Sequence, residues 1–203
     1  MNFMREWKEL KLKYISNIQS GEGISKEDYD DNGNFDIIGA NGKIGNYNRK
    51  NINRMTIGTG RVGTLGKFEI YNNVWFSDNT LGIVPNETVD IKFLCYSLKV
   101  KDIEFLSTTT AQPLITATKL GNINIMLPNL KEQKLIANFL DEKVFNLDKI
   151  LSNLDMQIEI LNNYKKSIIT ETVMNGLNKN IKIKDSECDW IKKVPEHWDT
   201  TKR

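Results

Sequence analysis

The residues that could do chemistry come in few combinations. Gly58-Thr59-Gly60-Arg61-Val62-Gly63 has the GxGxxG spacing, and Asp78 follows Gly58 by twenty positions, where a ribose-binding acid would stand. A dinucleotide loop must open a helix whose N-terminus faces the pyrophosphate. Here the continuation is TLGKFEIYNN, with another glycine and a strand-like alternation, so the spacing does not carry nucleotide chemistry. No P-loop, no GxSxG and no Asn/Asp-Pro-Pro-aromatic motif for a flipped base is present. Asp90 and Lys92 are one isolated acid and base, better read as the end of a surface strand. The lone histidine, His197, and two cysteines 93 positions apart, Cys95 and Cys188, make neither a catalytic His dyad nor a zinc site. The expectation is a non-catalytic chain without metal or cofactor.

Charge patterning is more informative. From Ile37 to Phe68 there is no Asp or Glu, but there are Lys43, Arg49, Lys50, Arg54, Arg61 and Lys67, with seven of the thirteen glycines. A positive field on a Gly- and Asn-rich backbone suits a polyanion; solvated loops would read the same way. Ser77-Asp78-Asn79-Thr80 is either a turn closed by side-chain hydrogen bonds or the support of a ligand-facing loop. Ser107 to Thr118 (STTTAQPLITAT) is rich in hydroxyls, with Gln112 in the middle. Such groups donate to phosphates, and Gln can pair with adenine; an ordinary Thr-rich loop is the alternative.

Positioning these residues falls to two different kinds of element. The first 130 residues read as short strands and turns: Phe35–Ile38, Met55–Ile57, Lys67–Tyr71, Val74–Phe76, Leu81–Val84 and Ile123–Leu127. Ile91–Leu98 fits a helix by its apolar spacing. From Lys131 to about Asn175 there is neither Gly nor Pro. Steps of four and three from Gln133 reach Ala137, Leu140, Val144, Leu147, Leu151, Leu154, Ile158, Leu161, Lys165, Ile168 and Thr172. Nine of these twelve positions are apolar, a heptad seam that Ile136, Phe139, Ile150 and Ile169 widen. At about 1.5 Å per residue such a helix spans roughly 67 Å, longer than a domain of this size is wide. Its stripe is expected to pair with another helix, in this chain or another, rather than lie back on its own domain. The fold class is α+β: a mixed, mostly β domain followed by a long coiled-coil-forming helix.

The bulk numbers bound this reading. The chain has 203 residues, 28 Lys and Arg against 26 Asp and Glu, and a net charge of +2. That excludes a polycation and an acidic tail. No apolar run approaches the ~20 residues of a membrane span, and MNFMREWKEL has no secretory stretch, so the expected location is cytoplasmic. The C-terminal stretch is polar and Lys-rich. There WDTTKR from Trp198 sits over WKELKL from Trp7, as if a second copy of the N-terminal domain were opening.

Five segments in order, IIGANGKIGNYN (37–48), GRVGTLG (60–66), SDNTLGI (77–83), TAQPLITATKLGNINIMLP (110–128) and LKEQKLIANFLDE (130–142), resemble one half of the specificity subunit of Type I restriction–modification enzymes. The tail DWIKKVPEHW resembles that family's lead-in to its second half. The resemblance implies a target-recognition domain over 1–130, a conserved spacer helix over 131–177, and a linker with the truncated start of a second domain over 178–203. It implies that the domain reads one half of a split site in double-stranded DNA. Methylation and cleavage would belong to separate modification and restriction subunits docked on this scaffold. Half-length subunits of this kind can pair as homodimers, which would read the same half-site twice. A natural half-subunit, a truncated product and an artificial boundary all remain open.

Shared segments would be scaffold, and base-reading side chains would lie between or beside them. The DNA contacts expected on this basis are Lys43, Asn46, Tyr47, Asn48, Arg49 and Lys50 in one loop, Arg61 and Lys67 in a second, and Thr109, Thr110 and Gln112 in a third. Arg and Lys would neutralise phosphates, while Asn48 and Gln112 would address adenine edges. Helix pairing would use Leu140, Val144, Leu147, Leu151, Leu154, Ile158, Leu161 and Ile168. Two other readings stay in view: a stand-alone DNA-binding regulator or antirestriction half-subunit, and a coiled-coil adaptor whose N-terminal domain binds protein.

Overall fold

The computed structural model describes residues 7–62, 66–101, 114–177, 180, 182–188 and 191–198. Two compact units divide the chain, Met1–Asp141 and Glu142–Arg203.

The first unit is a mixed α+β domain. It begins with strand β1 (Lys8–Lys11), a single helical turn α1 (Leu12–Ile15) and strand β2 (Ser16–Ser20). Strands β3 (Phe35–Gly39), β4 (Gly42–Tyr47), β5 (Thr56–Gly60), β6 (Glu69–Tyr71), β7 (Trp75–Phe76) and β8 (Thr80–Pro85) follow, then helices α2 (Ile91–Lys99) and α3 (Ala117–Gly121) and strand β9 (Asn124–Leu127). One antiparallel sheet has the order β2-β8-β5-β6 and another sheet the order β4-β3-β7, in which β3 and β7 run parallel. β1 pairs antiparallel with β9, so the start of the domain is tied to its last strand.

The main core gathers Leu12, Ile57, Leu81, Ile83, Leu94, Leu98, Ile115, Leu120 and Ile125 between the four-stranded sheet and the helices. α2 turns Phe93, Leu94, Cys95 and Leu98 inward, the 3.6-residue spacing expected from sequence. Asp90 caps it by accepting from the Lys92 and Phe93 amides. A smaller cluster of Ile38, Ile52, Val74 and Phe76 joins the two sheets. Phe76 can lie there because Gly58 and Gly82, directly paired between β5 and β8, have no side chains. A Cβ on Gly58 would come within 2.8 Å of the Phe76 and Tyr71 rings.

Helix α4 (Leu130–Asn175) starts inside this unit. Asn129 caps it: the Glu132 amide donates to Asn129 Oδ1, and Asn129 Nδ2 in turn donates to the Glu132 side chain at Oε2. Trp7 Nε1 donates to Glu132 Oε1 at 3.2 Å, and the Trp7 ring meets the Phe93 ring edge-on. Gln133, buried to 1% exposure, accepts from the Asp90 amide at 2.8 Å and donates to the Thr88 and Pro128 carbonyls. Asp141 takes Lys92 Nζ at 2.6 Å and the Tyr96 hydroxyl at 2.9 Å.

The second unit holds the rest of α4 and an antiparallel hairpin, β10 (Ile183–Cys188) and β11 (Ile191–Pro195). Along α4 from Val144 onward the apolar side chains face solvent: Leu147, Leu151, Ile158 and Leu161 are each more than half exposed. The helix ends at Gly176, whose φ of +74° is the left-handed conformation that a helix C-terminus favours, with its amide donating to Thr172 O at 2.9 Å.

Candidate nucleic-acid interface

The β3–β4 hairpin and the segment after it hold the first group of expected contact residues. The Ala40-Asn41 turn joins the strands, with Gly39 opposite Gly42. Lys43 projects from β4 and pairs with Asp36 of β3 at 2.7 Å. Asn46 Nδ2 donates to Asp31 O, and Asn48 Nδ2 donates to Asp30 Oδ2. Tyr47 packs edge-on against Trp75, ring centroids 5.1 Å apart, and Trp75 Nε1 donates to Glu22 O. Lys50 Nζ donates to Asn73 Oδ1 at 2.7 Å and lies 5.2 Å over the Phe35 ring. Arg49 is exposed, and no hydrogen bond or ion pair holds its guanidinium among the described residues.

This surface differs electrostatically from what the acid-free stretch suggests. Asp30, Asp31 and Asp36 lie just before that stretch in sequence, and the fold lays them against it. Two of the six cations are occupied: Lys43 by the Asp36 carboxylate and Lys50 by the Asn73 amide oxygen. Arg49, Arg54 and Lys67 are exposed and free of described partners. The Asp36–Lys43 contact is a diagonal across the hairpin, since Lys43 is the register partner of Ile38 and Asp36 that of Asn46.

Arg61 and Ser77–Thr80 form a second locus. The Arg61 amide donates to Asn79 O, and Arg61 Nη1 donates to Asp78 O at 3.3 Å. The Ser77–Thr80 turn closes through Thr80 N to Ser77 O, and Thr80 Oγ1 donates to Ile38 O. Thus the polar cluster is a turn that ties the two sheets, and Arg61 braces it. β5 runs to Gly60 and is followed by an isolated bridge from Val62 to Leu114, so the strand does not run straight into a helix as a dinucleotide loop would. Thr109, Thr110 and Gln112 lie outside the described residues.

With Asn41, Thr59, Glu69 and Tyr71, Lys67 lines a cleft of about 70 Å³ beside the β3–β4 turn. Tyr71 donates from its hydroxyl to Glu69 Oε2 at 2.8 Å; burial and this carboxylate push the phenol's pKa up. Neither Asn41 nor Glu69 stands out in the sequence, because the cleft is made by residues from five strands, β3, β4, β5, β6 and β8.

Elsewhere the ionisable groups are structural. The Lys92 hydrogen bond holds Asp141 below the usual carboxylate range, and Asp141 raises Lys92 in turn. Burial raises the Cys95 thiol, which lies 3.5 Å from Phe68 O. Among the described residues no three His, Cys, Asp or Glu side chains group as metal ligands, and no helix is long and apolar enough to cross a membrane.

A β-rich α+β domain carried on a long helix with an exposed apolar seam is an architecture found in solved restriction–modification subunits. The chain superposes on the crystal structure of a Type I restriction–modification S subunit from M. genitalium with a TM-score of 0.63 at 23% identity, covering 84% of this chain and 46% of that one. With the HsdS subunit from Thermoanaerobacter tengcongensis the TM-score is 0.62 at 18% identity, with the same coverage. In sequence it is 34% identical over 119 residues to the MjaVIII specificity subunit of Methanocaldococcus jannaschii, 58% of this chain and 26% of the relative. It is 28% identical over 143 residues to a putative type I specificity subunit of Mycoplasma pneumoniae, 67% and 39%. The matched part is thus less than half the length of each of these proteins. Residues 4–171 match the model of the Type I restriction modification DNA specificity domain. The chain belongs to this family, with one recognition domain and one long helix.

Proposed function

We propose that the chain reads one half of a bipartite DNA site for a Type I restriction–modification complex and does no chemistry itself. On this reading residues 1–130 recognise DNA, 131–177 form the spacer helix, and 178–203 lead toward a second recognition domain. The observation that carries it is the pairing of two surfaces on one chain. One is a polar hairpin on which the exposed cation Arg49 follows Asn48. The other is a row of apolar side chains on α4 left in water. Leaving so much apolar surface exposed is unfavourable at roughly 25 cal/mol per Å², so a partner helix is expected. That helix would come from a second copy or from a second half. Duplex DNA, a modification subunit and a restriction subunit are the proposed partners, met in the cytoplasm.

The test is methyl transfer. The chain is mixed with a Type I modification subunit, labelled S-adenosylmethionine and DNA. Incorporation that needs both proteins supports the reading. Binding to DNA without any support of methylation would instead favour a regulator, and binding to neither DNA nor the modification subunit an adaptor.

A further inference from the structure

Glu69 is the first acid after the 32-residue acid-free stretch, and it stands in the cleft beside the β3–β4 turn. A carboxylate on a DNA-facing surface is repelled by phosphates, so it needs a reason to be there. Its position is not casual. The Tyr71 ring is wedged edge-on against Phe76, centroids 5.5 Å apart, over the bare backbone of Gly58. From that fixed ring the hydroxyl holds Glu69 Oε2 at 2.8 Å, and no described group occupies Oε1. Lys67, two residues earlier, lines the same cleft, and no ion pair joins it to Glu69. A fixed acceptor and a free donor thus share one small opening. At about 70 Å³ the cleft is small beside the roughly 300–1,000 Å³ of a pocket that encloses a whole ligand. It suits the edge of a base pair left in its stack.

In the major groove a G·C pair presents guanine O6 and N7 as acceptors beside the cytosine N4 amino group as donor; Lys suits the first and Glu the second. We propose that Lys67 and Glu69 together read one G·C base pair, Lys67 donating to guanine and Glu69 accepting from the paired cytosine, with Tyr71 as the positioning residue. This rests on the DNA-reading function proposed above.

The experiment uses the full chain assembled with a Type I modification subunit. Its site is recovered from random DNA, and competing duplexes then carry each base pair in turn at each position. Wild type should prefer G·C at one position by at least about tenfold, and Glu69→Gln and Glu69→Ala should flatten that position to within about twofold. Other positions and the melting temperature should stay as in wild type. Tyr71→Phe keeps the carboxylate but frees it, and should weaken the same preference part-way. A folded Glu69 variant that keeps every preference, or gains affinity evenly by losing a charge, overturns the proposal. A wild type with no preference at any position overturns the DNA-reading function itself, and this inference with it.

Discussion

On the proposed reading, Arg49 is the hairpin side chain best placed to meet a phosphate. Lys43 must first leave Asp36, and Lys50 must leave Asn73 and the Phe35 ring. Arg49 has nothing to leave. We therefore expect Arg49→Ala to weaken binding to all sequences and to lower the slope of log K against log salt by about one, with Lys43→Ala doing less. Titrations at several salt concentrations measure both slopes; equal slopes for wild type and Arg49→Ala would remove Arg49 from the interface. The sequence exposes these cations but not their partners. Asp36 is visible as a letter, yet its pairing with Lys43 depends on a turn and a strand register. Glu69 and Tyr71 are hidden for the same reason, since their cleft assembles only when β5, β6 and the β3–β4 turn meet.

Elements with strong periodicity are legible from sequence, and weakly patterned ones are not. α2 and α4 follow from apolar spacing, and their bounds, Ile91–Lys99 and Leu130–Asn175, fall within a residue of expectation. β2 (SNIQS) and β4 (GKIGNY) have too few apolar residues to alternate; pairing with the distant β8 makes β2 a strand, and the hairpin with β3 makes β4 one. The heptad seam divides in use. Gln133 and Ala137 are buried within the recognition unit, Leu140 is half-buried, and the exposed row begins at Val144. The seam's first turns therefore fasten the helix to its own domain, and only the later part is free for a partner.

The fastening also has a pH signature. Asp141 has a folded pKa below its ordinary 3.8, so its contribution is full above that value and is lost as pH falls through the lower, folded one. Lys92 is raised above 10.5, so its share is full below that value and is lost as pH rises through the folded one. Asp141→Asn should lower the melting temperature modestly at neutral pH, because both side chains are partly solvated. The difference from wild type should vanish well below pH 3.8. A difference that persists unchanged into strong acid would show that the ion pair is not its source.

At the scale of the molecule, a net charge of +2 conceals a division of labour. On the hairpin Asp36 compensates Lys43 while Arg49 stays free, and on the proposed reading sequence selection would rest on base edges as well as on phosphate attraction. The long helix supplies apolar area instead of charge. The chain spans less than half the length of the relatives it matches, and on the proposed reading it supplies one recognition domain and one spacer helix. Two copies paired through α4 would present two identical reading surfaces related by a two-fold axis. The measurement that tests this most directly is recovery of bound duplexes from a random pool by the full chain, with and without Leu151→Glu and Leu154→Glu on the exposed row. Wild type should return one motif twice, inverted, across a fixed gap, and the helix variant a single arm. No motif at all, or one continuous motif held equally by both proteins, would contradict the account.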